Sequence, residues 1–392
     1  MNSKKLAFWN IWSSYATYYF GKVNLSIVIP VLLLMFSDLN MYSIGAVSSA
    51  FFFAYAIGQF LHGQISERFN PFVYISIGLI GSAIMNLILG FWGGIFWILL
   101  MGEFLDGICQ SMGWSSCVRA NSLIQDSSNR ERSSVFLGTS YQIGNSIAWL
   151  ISALVVSWWG WQAGFFVASS FLFTRGITLL MTMPKIDPVL LKPNKIKLQL
   201  KETLNWAILL GGLSLCLINM IRFGMISWIP LYLFEQGSMT IESIGKVGIK
   251  VCLLPLAGVI GTLLYNKIKI QKELLTIIYL IGLAISFIVF PFTSGALSLI
   301  VLLIGSFFMY GPHVFFVTTF PSRFLDKKIV AAATGFIDGM GYVGTVLIGI
   351  IVPFILVKSG NDWSLVFYFW AFLAFCVAGV AAFNKMRYFK RS

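Results

Sequence analysis

Twelve apolar segments take up most of this chain, and each is close to the ~20 residues that a helix needs to cross a bilayer. They run over 8–36, 43–63, 72–93, 95–118, 134–158, 161–183, 205–234, 243–265, 273–293, 296–320, 329–357 and 363–384. Runs of this length favour a helical bundle over a barrel, whose strands alternate over ten-residue stretches. Composition agrees: 58% of the 392 residues are hydrophobic and 10% are charged, more apolar surface than a soluble fold of this size can hide. The expected fold class is an all-α membrane protein with twelve transmembrane helices. No small-residue cleavage motif follows the first segment, which is therefore read as a retained helix and not a signal peptide.

The formal net charge of +13 invites a nucleic-acid reading, but the placement of the charges opposes it. Of 27 Lys and Arg, 21 lie at the termini or in alternate loops, as the positive-inside rule expects. The remaining loops ("SDLNM", "FWGG", "SWWGW", "FTSG") hold no Lys or Arg, apart from Lys246 near one and Lys358 in another. Both termini are expected in the cytoplasm, in a cell (inner or plasma) membrane. The longest polar stretch starts at Pro184 with "PKIDPVLLKPNKIKLQLKE" and divides the helices six and six. The expected domains are a six-helix half over 1–183, a cytoplasmic linker over 184–204 and a second half over 205–392.

The chain repeats itself. Lys22 precedes Pro30 by eight residues, and Arg222 precedes Pro230 by eight, 200 residues later. Gly58 and Gly258 share that offset; Gly107 and Gly113 return as Gly305 and Gly311 at 198; "GTSYQIG" from Gly138 returns as "GFIDGMG" from Gly335 at 197. Four helix pairs at a near-constant offset indicate a duplicated six-helix unit. Parallel six-helix halves are a transporter architecture, with substrate bound between them near the midplane.

This frame gives the intramembrane charges a purpose. A charge at that depth costs at least ~2.5–3.5 kcal/mol, so it is usually functional or paired. Lys22 and Arg222 occupy equivalent mid-helix positions and together suit an anion. The blander reading is a structural ion pair with an intramembrane carboxylate. Glu103 and Asp106 lie three residues apart on the fourth segment and share a face, Asp106 deeper and Glu103 nearer the outer end, as a coupling or balancing acid or a merely interfacial one. Asp338 is mid-segment in the eleventh, at the position equivalent to Tyr141. A carboxylate in a low-dielectric cavity can carry a proton as a coupling ion, or it can balance Lys22 or Arg222 when no substrate is bound.

Between the second and third segments stands "GQISERFNP" from Gly63. Its Gly63, Glu67 and Arg68 resemble the loop signature of the major facilitator superfamily. Gly63 suits a tight helix approach, Glu67 can cap a helix N-terminus and Arg68 can pair across a cytoplasmic gate. The matching stretch of the second half, "GTLLYNKIK", has no acid. "YYFGKVN", "SERFNP", "QSMGWSSCVR", "RFGMISWIPLYL" and "YGP" follow in order over nearly the whole chain. Together they resemble the organophosphate:phosphate antiporters, the glycerol-3-phosphate and hexose-6-phosphate exchangers. The resemblance implies that Lys22 and Arg222 grip a phosphate. It also implies that Tyr15, Tyr19, Tyr310 and Tyr342 line the cavity, with Tyr141 where a cavity histidine stands.

Departures from that pattern matter for substrate. Lysine replaces the arginine expected at position 22 and loses its bidentate fork. Val23 and Gln59 stand where the family carries lysines, Ser115 replaces a proline, and Asp338 adds a negative charge. The pocket is less cationic, so a proton-coupled carboxylate or zwitterion symporter stays beside a phosphate-ester exchanger. "KVNLSIVIP" is also similar to the first helix of proton-coupled organic-anion symporters, with Gln110 where a matching acid would be.

Other residues have quieter readings. His313, after Gly311-Pro312, lines the cavity or bonds a neighbouring helix. Trp114 and Trp228 read as packing, and Lys246, Lys250 and Arg175 as snorkelling side chains. The five cysteines and two histidines lack metal-ligand spacing, and no nucleophile–base pair or phosphate-binding Gly-rich loop appears. The expectation is a functional monomer that is not an enzyme, takes a small anionic substrate from within a lipid bilayer, and uses no cofactor, metal or nucleic acid. A transporter-like ligand sensor is a further alternative.

Overall fold

The computed structural model describes residues 3–65, 69–125, 133, 136–184, 206–320 and 330–388. Every regular element among them is helical. In chain order these are α1 (Ser3–Met35), α2 (Met41–Ile65), α3 (Pro71–Trp92) and α4 (Phe96–Ser111, resumed as Gly113–Ile124). Next come α5 (Thr139–Trp159), α6 (Trp161–Thr182), α7 (Trp206–Glu235) and α8 (Ser243–Val251, resumed as Leu253–Lys267). The series ends with α9 (Lys272–Val289), α10 (Gly295–Val314, followed by a π-turn at Phe315–Thr319), α11 (Val330–Ser359) and α12 (Trp363–Tyr388).

Each expected apolar segment is therefore a helix. Ten are long and apolar enough to qualify as membrane spans on those grounds alone. The other two fall short for visible reasons. α4 carries Glu103, Asp106 and Gln110, and α5 carries buried Ser140, Gln142, Asn145, Ser146 and Ser152, polar groups that lower the hydropathy of both. Pro312 lies inside α10, where it removes one ladder bond, and the π-turn follows at Phe315–Thr319.

The chain clusters into two compact units, Met1–Lys195 with Ile229–Cys252, and Ile196–Trp228 with Leu253–Ser392. In the first, α3 packs on α6 and α4, α2 on α4, and α1 on α5 and α6. The segment Ile229–Cys252 joins this unit through α5, where Gly248 meets Ala153 and Gly245 meets Ser157. In the second unit α9 packs on α12 and α10, and α8 on α10. The pairing of α2, α3, α4 and α6 thus returns as α8, α9, α10 and α12, as duplication requires. Gly58 seats against Ser111 of α4 and Gly258 against the Tyr310 ring of α10. Small residues permit such close helix approach in a bilayer, where no hydrophobic force drives helices together.

Arg175 departs from its expected snorkelling. Its Nε donates to Ser14 Oγ at 3.0 Å, and its Nη2 donates to Asn10 O at 2.7 Å and Asn10 Oδ1 at 3.0 Å. A guanidinium with acceptors one and two turns along α1 has reason to stay within the helix pair, so it clasps α6 to α1. Nearby, Asn10 Nδ2 donates to Thr182 Oγ1 at 3.2 Å.

Candidate functional site

α1 carries Tyr15, Tyr19 and Lys22 at spacings of four and three residues, which place them on one face. The Lys22 ammonium lies 3.8 Å from the centre of the Tyr55 ring of α2 and 5.4 Å from that of Tyr19. Tyr19 is 6.4 Å from Tyr141 of α5, and Tyr15 is 4.8 Å from Trp114 of α4, ring centre to ring centre. Gln59 stands one turn beyond Tyr55 on α2, its Oε1 buried and without a hydrogen-bond partner. Lys22 is half-buried, while Tyr15, Tyr19 and Tyr55 are buried. A desolvated cation–π contact is worth about 2 kcal/mol, short of the ~2.5–3.5 kcal/mol cost of a charge at this depth. The tyrosine rings thus offset part of that cost.

The second unit builds a smaller counterpart. Arg222, 7% exposed, places its guanidinium carbon 4.7 Å from the Phe223 ring centre and 5.6 Å from that of Tyr310. His313, one turn beyond Tyr310, meets that ring edge-on at 6.5 Å. Its Nδ1 is buried without a partner, so a bond from that nitrogen to a neighbouring helix does not form. Asp338 and Tyr342 lie one turn apart on α11, both half-buried.

The structure thus brings Lys22, Tyr15, Tyr19 and Tyr141 into one cluster of the first unit, with Gln59 on the same helix as Tyr55. Arg222 and Tyr310 meet in the second unit. Tyr55 and Trp114 join the first cluster although sequence reasoning passed over Tyr55 and read Trp114 as packing. Helical spacing puts Tyr55 one turn before Gln59, but that spacing does not separate a ring that packs from one that cradles a charge.

Glu103 is 2% exposed and Asp106 0%, so both acids are buried within the first unit. α3 supplies the reason, since Asn86 offers Asp106 a hydrogen bond at 3.1 Å and draws that face of α4 inward. Gly63 ends α2 within its last turn, while Glu67 and Arg68 lie outside the described residues. On the same side Arg119 Nη1 donates to Phe69 O at 2.9 Å, tying α4 to the end of that loop.

A sequence profile of the Major Facilitator Superfamily matches residues 11–347. The chain belongs to that superfamily. Its relatives include the membrane sensor protein UhpC of Escherichia coli, 25% identical, with 90% of this chain and 86% of the relative aligned. A probable hexose phosphate transport protein of Chlamydia trachomatis is 23% identical over 96% of this chain and 89% of its own length. The glycerol-3-phosphate transporter of Bacillus subtilis is 25% identical over 86% and 82%. The fold matches a bacterial homologue of the human lysosomal transporter Spinster, in an inward-facing and occupied conformation. The TM-score is 0.77 at 12% identity, covering 100% of this chain and 98% of that one. This major facilitator protein is therefore a multi-pass membrane transporter for a small molecule, not an enzyme.

Proposed function

We propose that this protein is a secondary active transporter of a small organic anion, most simply a phosphate ester exchanged for inorganic phosphate. The observation that carries the reading is the pair of intramembrane cations, one per unit, each set among aromatic rings. Lys22 and Arg222 bind the anionic group. Tyr15, Tyr19, Tyr141, Gln59, Tyr310 and Tyr342 orient the remainder. Arg222 supplies the planar fork that suits phosphate, and Lys22 acts as a point charge. An anion engaged by both cations draws the halves 1–183 and 205–392 together, and release on the other side completes alternating access. The linker 184–204 and both termini are cytoplasmic, the Gly63–Glu67–Arg68 loop acts at the cytoplasmic gate, and the monomer is the working unit. The names of the hexose-phosphate and glycerol-3-phosphate relatives support the phosphate-ester class.

The proposed coupling acids are Asp338, Asp106 and Glu103, which leave room for proton-coupled symport of a carboxylate or zwitterion. A second reading, ligand sensing, has its own support in the name of the relative UhpC. The two separate in reconstituted vesicles. A transporter exchanges labelled phosphate across the bilayer, whereas a sensor binds it without moving it. Arg222→Gln abolishes phosphate binding under either reading, and normal binding by that variant overturns the site assignment.

A further inference from the structure

The buried polar groups behind Lys22 form a network whose bond directions are fixed. Asn86 Nδ2 of α3 donates to the Ser82 carbonyl at 2.9 Å and to Asp106 Oδ2 of α4 at 3.1 Å. Asn86 Oδ1 must then accept, and Asn24 Nδ2 of α1 donates to it at 2.7 Å. Beside it, Gln110 Nε2 of α4 donates to Ser82 Oγ of α3 at 2.9 Å. Gly21 makes this reach possible, because a Cβ there would stand 2.6 Å from Gln110 Nε2 and 2.9 Å from Ser82 Oγ.

Asn86 uses both its N–H groups and its oxygen within the network, which still leaves acceptor oxygens over. Asn24 Oδ1, Gln110 Oε1 and Asp106 Oδ1 are all buried without a hydrogen-bond partner. Asn24 and Asp106 are 0% exposed and Gln110 is 1% exposed. Orphaned buried acceptors cost about 1–3 kcal/mol each, so three in one buried network, one of them on the carboxylate itself, call for a ligand. A proton can serve one such oxygen, whereas a hard cation serves several at once. The donors are oxygens, and the described residues hold no grouping of three or more His, Cys, Asp or Glu, which argues against a transition metal. A carboxylate oxygen with two amide oxygens is a set of low charge, and the Lys22 ammonium acts on Asp106, which disfavours a divalent ion and suits a monovalent one.

We propose that Asp106, Asn24 and Gln110, with Glu103 adding charge, form a sodium site within the first unit. Its coupling to transport rests on the reading of Lys22 as an anion-binding residue. An anion that engages Lys22 weakens the repulsion between its ammonium and the site, so sodium binds more tightly. By reciprocity, sodium tightens anion binding by the same factor.

The test uses the full chain in detergent micelles, with ²²Na⁺ binding measured at constant ionic strength maintained by N-methylglucamine chloride. Saturable binding of one sodium per chain is expected. Asp106→Asn, close in shape, and Asn24→Ala weaken it at least tenfold, while Asp38→Asn, outside the site, leaves it unchanged. Sodium is also expected to raise the affinity for inorganic phosphate about tenfold. Absence of saturable sodium binding, or binding that persists in Asp106→Asn, overturns the proposal. So does thermal stabilisation that follows pH and ignores sodium, since the ligand is then a proton. Phosphate binding in sodium-free buffer separates the two readings. Its presence without any sodium binding sinks this inference alone, and its absence beside saturable sodium binding sinks the anion site alone.

Discussion

The Lys22 ammonium sits over the Tyr55 ring at 3.8 Å, so a residue of α2 helps hold the cation of α1. Removing the ring while keeping bulk, as in Tyr55→Leu, forfeits about 1–2 kcal/mol of cation–π attraction and loosens the lysine. Phosphate affinity is expected to fall about 5- to 30-fold, while Tyr55→Phe stays close to wild type. Equilibrium binding of labelled phosphate to the three proteins measures this directly. Equal losses in both variants would place the effect on the hydroxyl instead.

The α2–α4 seam depends on Gly107, whose missing side chain admits the Phe51 carbonyl and the Ala54 methyl. Gly107→Val overpacks this contact at a cost of about 1–3 kcal/mol. Among the described residues, nothing lies within 4 Å of a would-be Cβ at Gly335 on α11, so Gly335→Ala is expected to leave stability unchanged or slightly raised. Thermal unfolding in detergent compares the two, and a lower midpoint for Gly335→Ala than for Gly107→Val would contradict the packing account.

Much of this arrangement was legible in the sequence because duplication writes the same positions twice. Lys22 with Pro30 and Arg222 with Pro230 identify the cation helices, and Gly58 with Gly258 identify equivalent seams. Tyr55 was not legible, since a tyrosine in an apolar helix looks the same whether it packs or cradles a charge. The burial of Glu103 was not legible either, because position along a helix does not tell which neighbour faces it; Asn86 and Asp106, from α3 and α4, decide that. Arg175 was taken for a snorkelling side chain because its acceptors, Asn10 and Ser14, are more than 160 residues away in sequence.

The Arg175 clasp makes a different prediction, one about stability and not affinity. Hydrogen bonds to a charged group are worth about 1.5–3 kcal/mol, and Arg175→Met removes those to Asn10 and Ser14 together. The unfolding midpoint should fall by several degrees, with phosphate affinity in the folded fraction within about twofold of wild type. A large affinity loss at unchanged stability would give Arg175 a role in the binding site.

Asp338 separates exchange from proton-driven uptake. If it carries a coupling proton, Asp338→Asn abolishes the response of uptake to an imposed pH gradient and leaves phosphate binding intact. The readout is uptake into proteoliposomes with and without the gradient. An unchanged response would make the acid structural, or a balance for the cations.

The central claim, a transporter that grips an anion with Lys22 and Arg222, is tested most directly by phosphate exchange in proteoliposomes. Vesicles loaded with inorganic phosphate are followed for entry of labelled phosphate, with a panel of phosphate esters as competitors. The account predicts entry that requires internal phosphate, is blocked by at least one ester, and disappears in Arg222→Gln. No exchange by folded, correctly inserted protein, or undiminished exchange in Arg222→Gln, would contradict it.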